Sequence, residues 1–296
     1  MKNSTISLCE SSIFDIQTSF FDPIAVTASR DSIYQLRLAP SSNSIEVIAK
    51  IDTTVRTQSL AVIDTFSGPC FGILSADSIK LYQVGNEIPS HTPVNLNFNA
   101  TVLKSHRNLS CIAVGGDAMI KYFDFRSNFR DFISTPFKTS TLSSSSVSCL
   151  NFLDDYKVLV GLSNSSIAVI DLRSGILEHS RLGDTAVTSI NPIDQSNLIG
   201  VTLKHERRLF LRKGDLTQHS MYNFPLPTVS VCSSTSNSFM ASSLSTAVGL
   251  SFLNSEPVLT TVDCAAFNIT SLSHINQSNL ILGGSSDGCL SYFYCE

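Results

Sequence analysis

The stretch Ser110-Cys-Ile-Ala-Val-Gly-Gly-Asp117-Ala-Met-Ile-Lys-Tyr-Phe-Asp-Phe-Arg126 decides the fold, because the chain repeats it. An apolar run enters a short polar turn at Asp117, and a second, alternating run leaves it. Lys157-Val-Leu-Val-Gly-Leu-Ser-Asn164-Ser-Ser-Ile-Ala-Val-Ile-Asp-Leu-Arg173 follows the same plan, as does Asn279-Leu-Ile-Leu-Gly-Gly-Ser-Ser-Asp287-Gly-Cys-Leu-Ser-Tyr-Phe-Tyr294. Earlier copies centre on Asp31 and Asp77, and two weaker ones on Glu206 and Thr246. Subtracting successive turn positions (31, 77, 117, 164, 206, 246 and 287) gives steps of 46, 40, 47, 42, 40 and 41 residues. Each hairpin has room for a short strand before it, such as Ser148-Cys-Leu-Asn-Phe152 or Val187-Thr-Ser-Ile190, and one after it, such as Ser44-Ile-Glu-Val-Ile-Ala-Lys50. Four short strands in a unit of this length make one propeller blade.

The expected architecture is therefore all-β: a single closed β-propeller of seven blades, each of four antiparallel strands. Blades are expected to start near residues 11, 57, 101, 146, 186, 228 and 267 of one domain spanning 1–296. The last unit lacks an outer strand, and Ser4-Thr-Ile-Ser-Leu-Cys9 has the pattern to supply it and close the ring. Closure hides sheet edges that would otherwise pair with other chains. Repeats are weakest over 184–264, where a six-bladed ring with an irregular segment is the alternative. No long segment shows a 3.6-residue apolar period with caps, so helices are not expected.

Composition agrees. Hydrophobic residues make up 43% of the chain and charged residues only 15%, below the ~25% of an average domain. Ser, Thr and Asn fill the polar positions, as suits turns and strand faces. A net charge of −4 gives no electrostatic case for nucleic acid. No apolar run has the length of a signal peptide at the N-terminus or of a membrane helix elsewhere. The expectation is a soluble intracellular protein, nuclear or cytoplasmic. The eight cysteines include no C-x-x-C pair and read as reduced thiols, most of them buried in strands.

Gly115-Gly116-Asp117, Asp171-Leu172-Arg173-Ser174-Gly175 and Gly283-Gly284-Ser285-Ser286-Asp287-Gly288 resemble the second strand, tight turn and third strand of the WD40-repeat family. The departures are plain: the chain has no Trp, hence no Trp-Asp dipeptide, and no Gly-His. The hydrogen-bonded His–Ser–Asp–Trp network of well-formed repeats cannot be complete in any blade. The resemblance implies a non-catalytic platform for protein–protein interaction within a multi-protein complex, with no cofactor and no obligate small molecule.

Among motifs that carry chemistry, there is no H-E-x-x-H, Walker loop or G-x-G-x-x-G. The six histidines are dispersed and read as solvated or capping. Asp154-Asp155 reads as a hairpin turn, and the Asp at each central turn as blade architecture. Two features stand above background, the Asp-x-Arg doublet and a basic cluster. Asp124-Phe-Arg126 and Asp171-Leu-Arg173 end the third strands of consecutive blades; in the WD40 family Asp-x-Arg there resembles a docking motif for a cullin ligase adaptor. That makes a substrate receptor of a cullin-type ubiquitin ligase the alternative function, against an ordinary strand ending. Lys204, His205, Arg207, Arg208, Arg212 and Lys213 form a basic cluster, read either as a partner-binding patch or as a solvated edge. The Phe-rich stretch from Phe123 to Phe137 reads either as a contact site or as blade packing, and Thr139–Ser146 as a flexible loop.

Overall fold

The computed structural model describes residues 3–39, 44–107, 109–117, 119–125, 132–136, 145–193, 197–224, 227–235, 238–243, 246–253, 256–263, 268–275 and 280–294. Its strands form four-stranded antiparallel sheets, each a simple meander. The first to be complete in sequence joins β2 (Ile13–Thr18), β3 (Ile24–Ser29), β4 (Ser32–Ala39) and β5 (Ser44–Asp52). Next come β6 (Ser59–Thr65), β7 (Gly68–Leu74), β8 (Ser78–Gln83) and the two-residue β9 (Val94–Asn95). β10 (Ala100–Ser105), β11 (Cys111–Gly116), β12 (Met119–Asp124) and β13 (Phe132–Pro136) follow, then β14 (Val147–Phe152), β15 (Lys157–Leu162), β16 (Ser166–Asp171) and β17 (Gly175–Arg181). β18 (Val187–Ile193), β19 (Leu198–Leu203), β20 (Arg208–Lys213) and β21 (Gln218–Asn223) form another sheet, and β22 (Ser230–Thr235), β23 (Ser238–Ser243), β24 (Thr246–Leu253) and β25 (Glu256–Asp263) the next. The last sheet combines β26 (Ile269–Ile275), β27 (Leu280–Ser285) and β28 (Cys289–Tyr294) with β1 (Asn3–Ser7), which pairs antiparallel with β28. The arrangement is a β-propeller, and the described residues include no helix long and apolar enough to cross a membrane.

Burial explains why these segments read as they do. β3, β11, β16 and β27 are buried at every position. A second or third strand is sandwiched between neighbouring sheets, so both of its faces are apolar and it appears as an unbroken apolar run. The outer strands β5 and β21 face solvent and are largely exposed. Core clusters straddle adjacent sheets: Ile112, Val114 and Phe123 pack with Ile63, Leu74 and Leu81, and Val158, Val160 and Ile170 with Cys111, Ala113 and Ile120. The first strands line the centre, with contacts between β2 and β6, β6 and β10, β10 and β14, β14 and β18, β18 and β22, β22 and β26, and β26 and β2.

A recurring device joins the sheets. In β10, β14 and β26 one extra residue bulges from the ladder: Thr101, Ser148 and Thr270. A bulge re-aims its side chain, and here the hydroxyl lies between two carbonyls. Thr101 Oγ1 is 3.2 Å from Gly115 O and 2.5 Å from Val147 O in the next sheet. Ser148 Oγ is 3.1 Å from Gly161 O and 2.6 Å from Val187 O. Thr270 Oγ1 is 3.0 Å from Gly284 O and also reaches Ile13 O, joining the last sheet to the first. The glycine in each trio is needed for space. A Cβ on Gly115 would lie 2.6 Å from Val147, one on Gly161 2.6 Å from Val187, and one on Gly284 2.5 Å from Ile13.

The structure amends several details of the sequence reading. The N-terminal strand ends at Ser7 rather than Cys9, because Leu8 N–H and Cys9 N–H both turn to Gly288 O. Thr246, expected in a turn, is the first residue of β24. His106 is not solvated: it is buried, its Nδ1 accepts the Leu109 N–H at 3.0 Å, and its ring meets Phe152 edge-on. Ser145 is buried and Ser146 bridges to Asp117, so the end of the serine run is anchored. Residues 139–144 lie outside the described residues. Cys111, Cys149 and Cys232 are buried thiols outside any disulfide, while Cys9, Cys70 and Cys289 are half-buried; Cys264 and Cys295 are outside the described residues.

Candidate protein-interaction surface

Each sheet is a meander, so its turns alternate between two ends of the molecule. The lower end carries the turns after the first and third strands. The upper end carries those after the second and fourth, including Asp31, Asp77, Asp117 and Asp287.

Asp124 and the Asp171–Arg173 pair lie at the lower end. Asp171 Oδ1 accepts the backbone N–H of Arg173 at 2.8 Å and of Ser174 at 3.2 Å. Its Oδ2 accepts Arg173 Nη2 at 3.1 Å, and the Arg173 guanidinium lies over Tyr156 at 4.2 Å. The side-chain bond from Arg173, reinforced by the backbone donors, lowers the Asp171 pKa to about 2. These contacts make a self-contained turn: the carboxylate closes it and the arginine folds back on both carboxylate and ring. Asp124 ends β12, paired with Cys111, while Arg126 lies outside the described residues. Phe123 is buried and Phe125 packs against the same core, so this part of the Phe-rich stretch is spent on packing.

The basic cluster is divided by its strand. Lys204, His205 and Arg207 are exposed at the upper end. Arg208 begins β20 and is held by Glu206 at 2.8 Å, over the Phe210 ring. Arg212 lies four residues on, about 13 Å along the strand, near the lower end. It is half-buried, its Nε is buried without a hydrogen-bond partner, and burial lowers its pKa. The six residues do not form one patch.

The first strands enclose a central cavity of about 320 Å³, which sequence patterning did not reveal. Its polar network crosses three sheets. Lys104 Nζ donates to Gln17 Oε1 at 2.9 Å, and Gln17 Nε2 to Asp15 Oδ1 at 2.7 Å. Asp15 Oδ2 accepts Leu60 N–H at 2.8 Å and Ser59 Oγ at 3.1 Å. Burial raises the Asp15 pKa, against hydrogen bonds that lower it. Burial lowers the Lys104 pKa, Asp15 works against this, and the charge of Arg107 adds to it. Such opposed shifts follow from taking charges out of water. At the lower mouth Asp64 takes Ser19 Oγ at 2.5 Å and Phe20 N–H at 2.8 Å.

No family model matches this sequence, and no curated protein does. Solved structures do. A chain in the crystal structure of the mitotic checkpoint complex superposes with a TM-score of 0.80 at 14% identity, over 99% of this chain and 95% of that one. The Cps50 (Swd1) β-propeller domain of Myceliophteria thermophila gives 0.78 at 11% identity, over 99% and 100%. U3-55K gives 0.82 at 11% identity, over 99% and 98%. The chain thus has the β-propeller fold that its resemblance to WD40-repeat proteins implied.

Proposed function

We propose that this protein is a non-catalytic interaction scaffold, a subunit of a multi-protein assembly, built as one domain in which seven blades form a closed ring. The ring is supported by the cyclic contacts of the first strands, by the β1–β28 pairing and by the Thr270–Ile13 link between the last sheet and the first. A closed ring leaves only short, protected sheet edges and offers two turn-covered ends to partners. Fold alone does not specify function. The observation that carries the reading is the match over nearly the whole of both chains to a propeller in the mitotic checkpoint complex, which is a multi-protein assembly. We place the protein inside the cell, in nucleus or cytoplasm, with proteins rather than nucleic acid as partners and with no membrane insertion or cofactor. The cullin-receptor alternative is less favoured, because Asp171 and Tyr156 already occupy Arg173. Affinity purification of the tagged protein from its own cells, with mass spectrometry, tests the reading. A stoichiometric set of subunits is expected, and recovery of the protein alone would overturn it.

A further inference from the structure

The two ends of the molecule carry different exposed groups. The large apolar side chains Phe21, Phe66, Ile88 and Tyr156 are exposed in lower-end turns. At the upper end the distinctive feature is charge, and it sits on one blade that departs from the plan of the others. In the turns after second strands the polar residue elsewhere serves the backbone. Asn164 Oδ1 accepts the Ser166 N–H at 3.1 Å. Asp287 accepts the Ser285 hydroxyl and the Cys289 N–H, the latter at 3.4 Å. Asp31, Asp77 and Asp117 put a carboxylate in the corresponding turns. The β19–β20 turn instead reads Lys204-His-Glu-Arg-Arg208. Its one carboxylate, Glu206, is taken by the Arg208 guanidinium, with Nε at 3.0 Å and Nη2 at 2.8 Å. In the neighbouring β17–β18 connection Asp184 is paired with Arg181 at 3.0 Å.

Those two pairs leave an excess. Arg181, Lys204, Arg207 and Arg208 are four positive charges against the two negative charges of Asp184 and Glu206, a local balance of +2 before His205 is counted, on a chain of net charge −4. Lys204, His205 and Arg207 are exposed and make no ion pair among the described residues. The backbone that carries them is pinned from both sides. Lys204 N–H donates to Ala186 O at 2.8 Å in the preceding connection. Glu206 O accepts the Thr228 N–H at 2.8 Å, and Arg207 O the Phe224 N–H at 2.7 Å, from the following one. A fixed backbone presenting solvent-exposed charges reduces the ordering cost of association. Charge complementarity sets the sign of the partner and its encounter rate. A segment rich in carboxylates is attracted to this turn and repelled by the turns at Asp31, Asp77, Asp117 and Asp287.

We propose that the β19–β20 turn docks an acidic segment of a partner protein, its carboxylates meeting Lys204 and Arg207. The proposal rests on the scaffold reading and names a surface and a partner chemistry for it. The test is selection of a random dodecapeptide display library on the full-length protein, followed by anisotropy titration of the enriched peptides. Enrichment of peptides rich in Asp and Glu is expected. Their affinity should fall about tenfold or more in the double variant Lys204→Glu/Arg207→Glu. Lys204→Gln/Arg207→Gln, checked for an unchanged melting transition, should show a smaller loss in the same direction. Arg30→Glu/Arg56→Glu alters two other exposed upper-end residues by the same total charge and should cost about twofold or less at physiological salt, where distant charges are screened. Equal losses in the two Glu variants would reduce the effect to net charge and overturn the proposal, as would failure to enrich acidic peptides. A labelled single-stranded DNA dodecamer bound in place of such peptides, and released by Lys204→Glu/Arg207→Glu, would overturn it in favour of nucleic acid. If no acidic peptide is enriched and an assembly purified from cells is retained by that variant, the scaffold reading stands and this docking site does not. If acidic peptides bind at the turn but the protein is recovered from cells alone, the site stands and the scaffold reading falls.

Discussion

Two kinds of seam hold neighbouring sheets together, and they differ in three residues. Between β10 and β14, β14 and β18, and β26 and β2, a bulged hydroxyl sits over a glycine carbonyl and reaches the next sheet. β18 has the same bulge, at Thr188, but the strand residue at the glycine position is Thr202. There the two hydroxyls bond to each other at 2.9 Å, and Ser189 instead reaches Val231 O at 3.4 Å. In β2 the bulged residue is Phe14 and the facing residue Ala28, so the bulge offers no hydroxyl, and Asp15 instead accepts Ser59 Oγ and Leu60 N–H from β6. The bulge belongs to the backbone plan, whereas the bridge also needs a hydroxyl and a glycine together. Where one member changes, the seam is held by packing or by a different polar pair. The replacement at Thr188–Thr202 falls in the stretch where the sequence repeats are weakest.

The comparison breaks most sharply at the glycines. Gly161→Ala puts a methyl against Val187 and Cys149, and an overpacked core costs about 1–3 kcal/mol. Gly200→Ala faces Val231 at a looser 3.2 Å and should cost clearly less; chemical denaturation of the two variants checks the order. Next comes Thr270→Val, which keeps the shape but removes the donor between Ile13 O and Gly284 O. A loss of about 1–2 kcal/mol is expected, read as a lower denaturation midpoint. Thr188→Val and Thr202→Val sharpen the contrast from the other side. Each leaves its partner hydroxyl without its bond, so the double variant should lose less than the sum, a non-additivity of about 1 kcal/mol.

The smallest expected effect is a pH dependence at the seam between β10–β13 and β14–β17. Burial depresses the His106 pKa, although Asp155, 3.4 Å from Nε2, opposes this. The unfolded chain, with His near 6.5, binds more protons than the folded one just below that pH. Stability is therefore greatest above about pH 6.5 and declines as pH falls from there to the depressed folded value. Thermal melts between pH 7.5 and 5 should show this decline in the parent and a shallower one in His106→Gln; equal slopes would remove His106 as the cause.

Much of the plan is legible in the chain itself. Asp117, Asn164 and Asp287 mark turns between buried strands, because both strands flanking such a turn are apolar and a turn needs a short polar side chain. The even spacing of those turns marks repeated four-stranded units. Less of the interaction surface is legible. Asp171–Arg173 has the form of a docking motif, and only the fold shows Arg173 turned onto Tyr156. Arg208 and Arg212 are neighbours in sequence that the strand places toward opposite ends. Phe21 and Phe66 are 45 residues apart (66 minus 21), and nothing in either local sequence separates them from core phenylalanines such as Phe71.

The sequence by itself determined that the chain is a series of β-hairpins at blade spacing, because periodicity and turn chemistry act between near neighbours. The tertiary structure alone decided which hydroxyls bridge sheets, that Lys104 joins the Asp15 network through Gln17, and which phenylalanines stay in solvent. Each of these depends on residues a full repeat or more apart meeting around a common axis, and no local pattern encodes such a meeting.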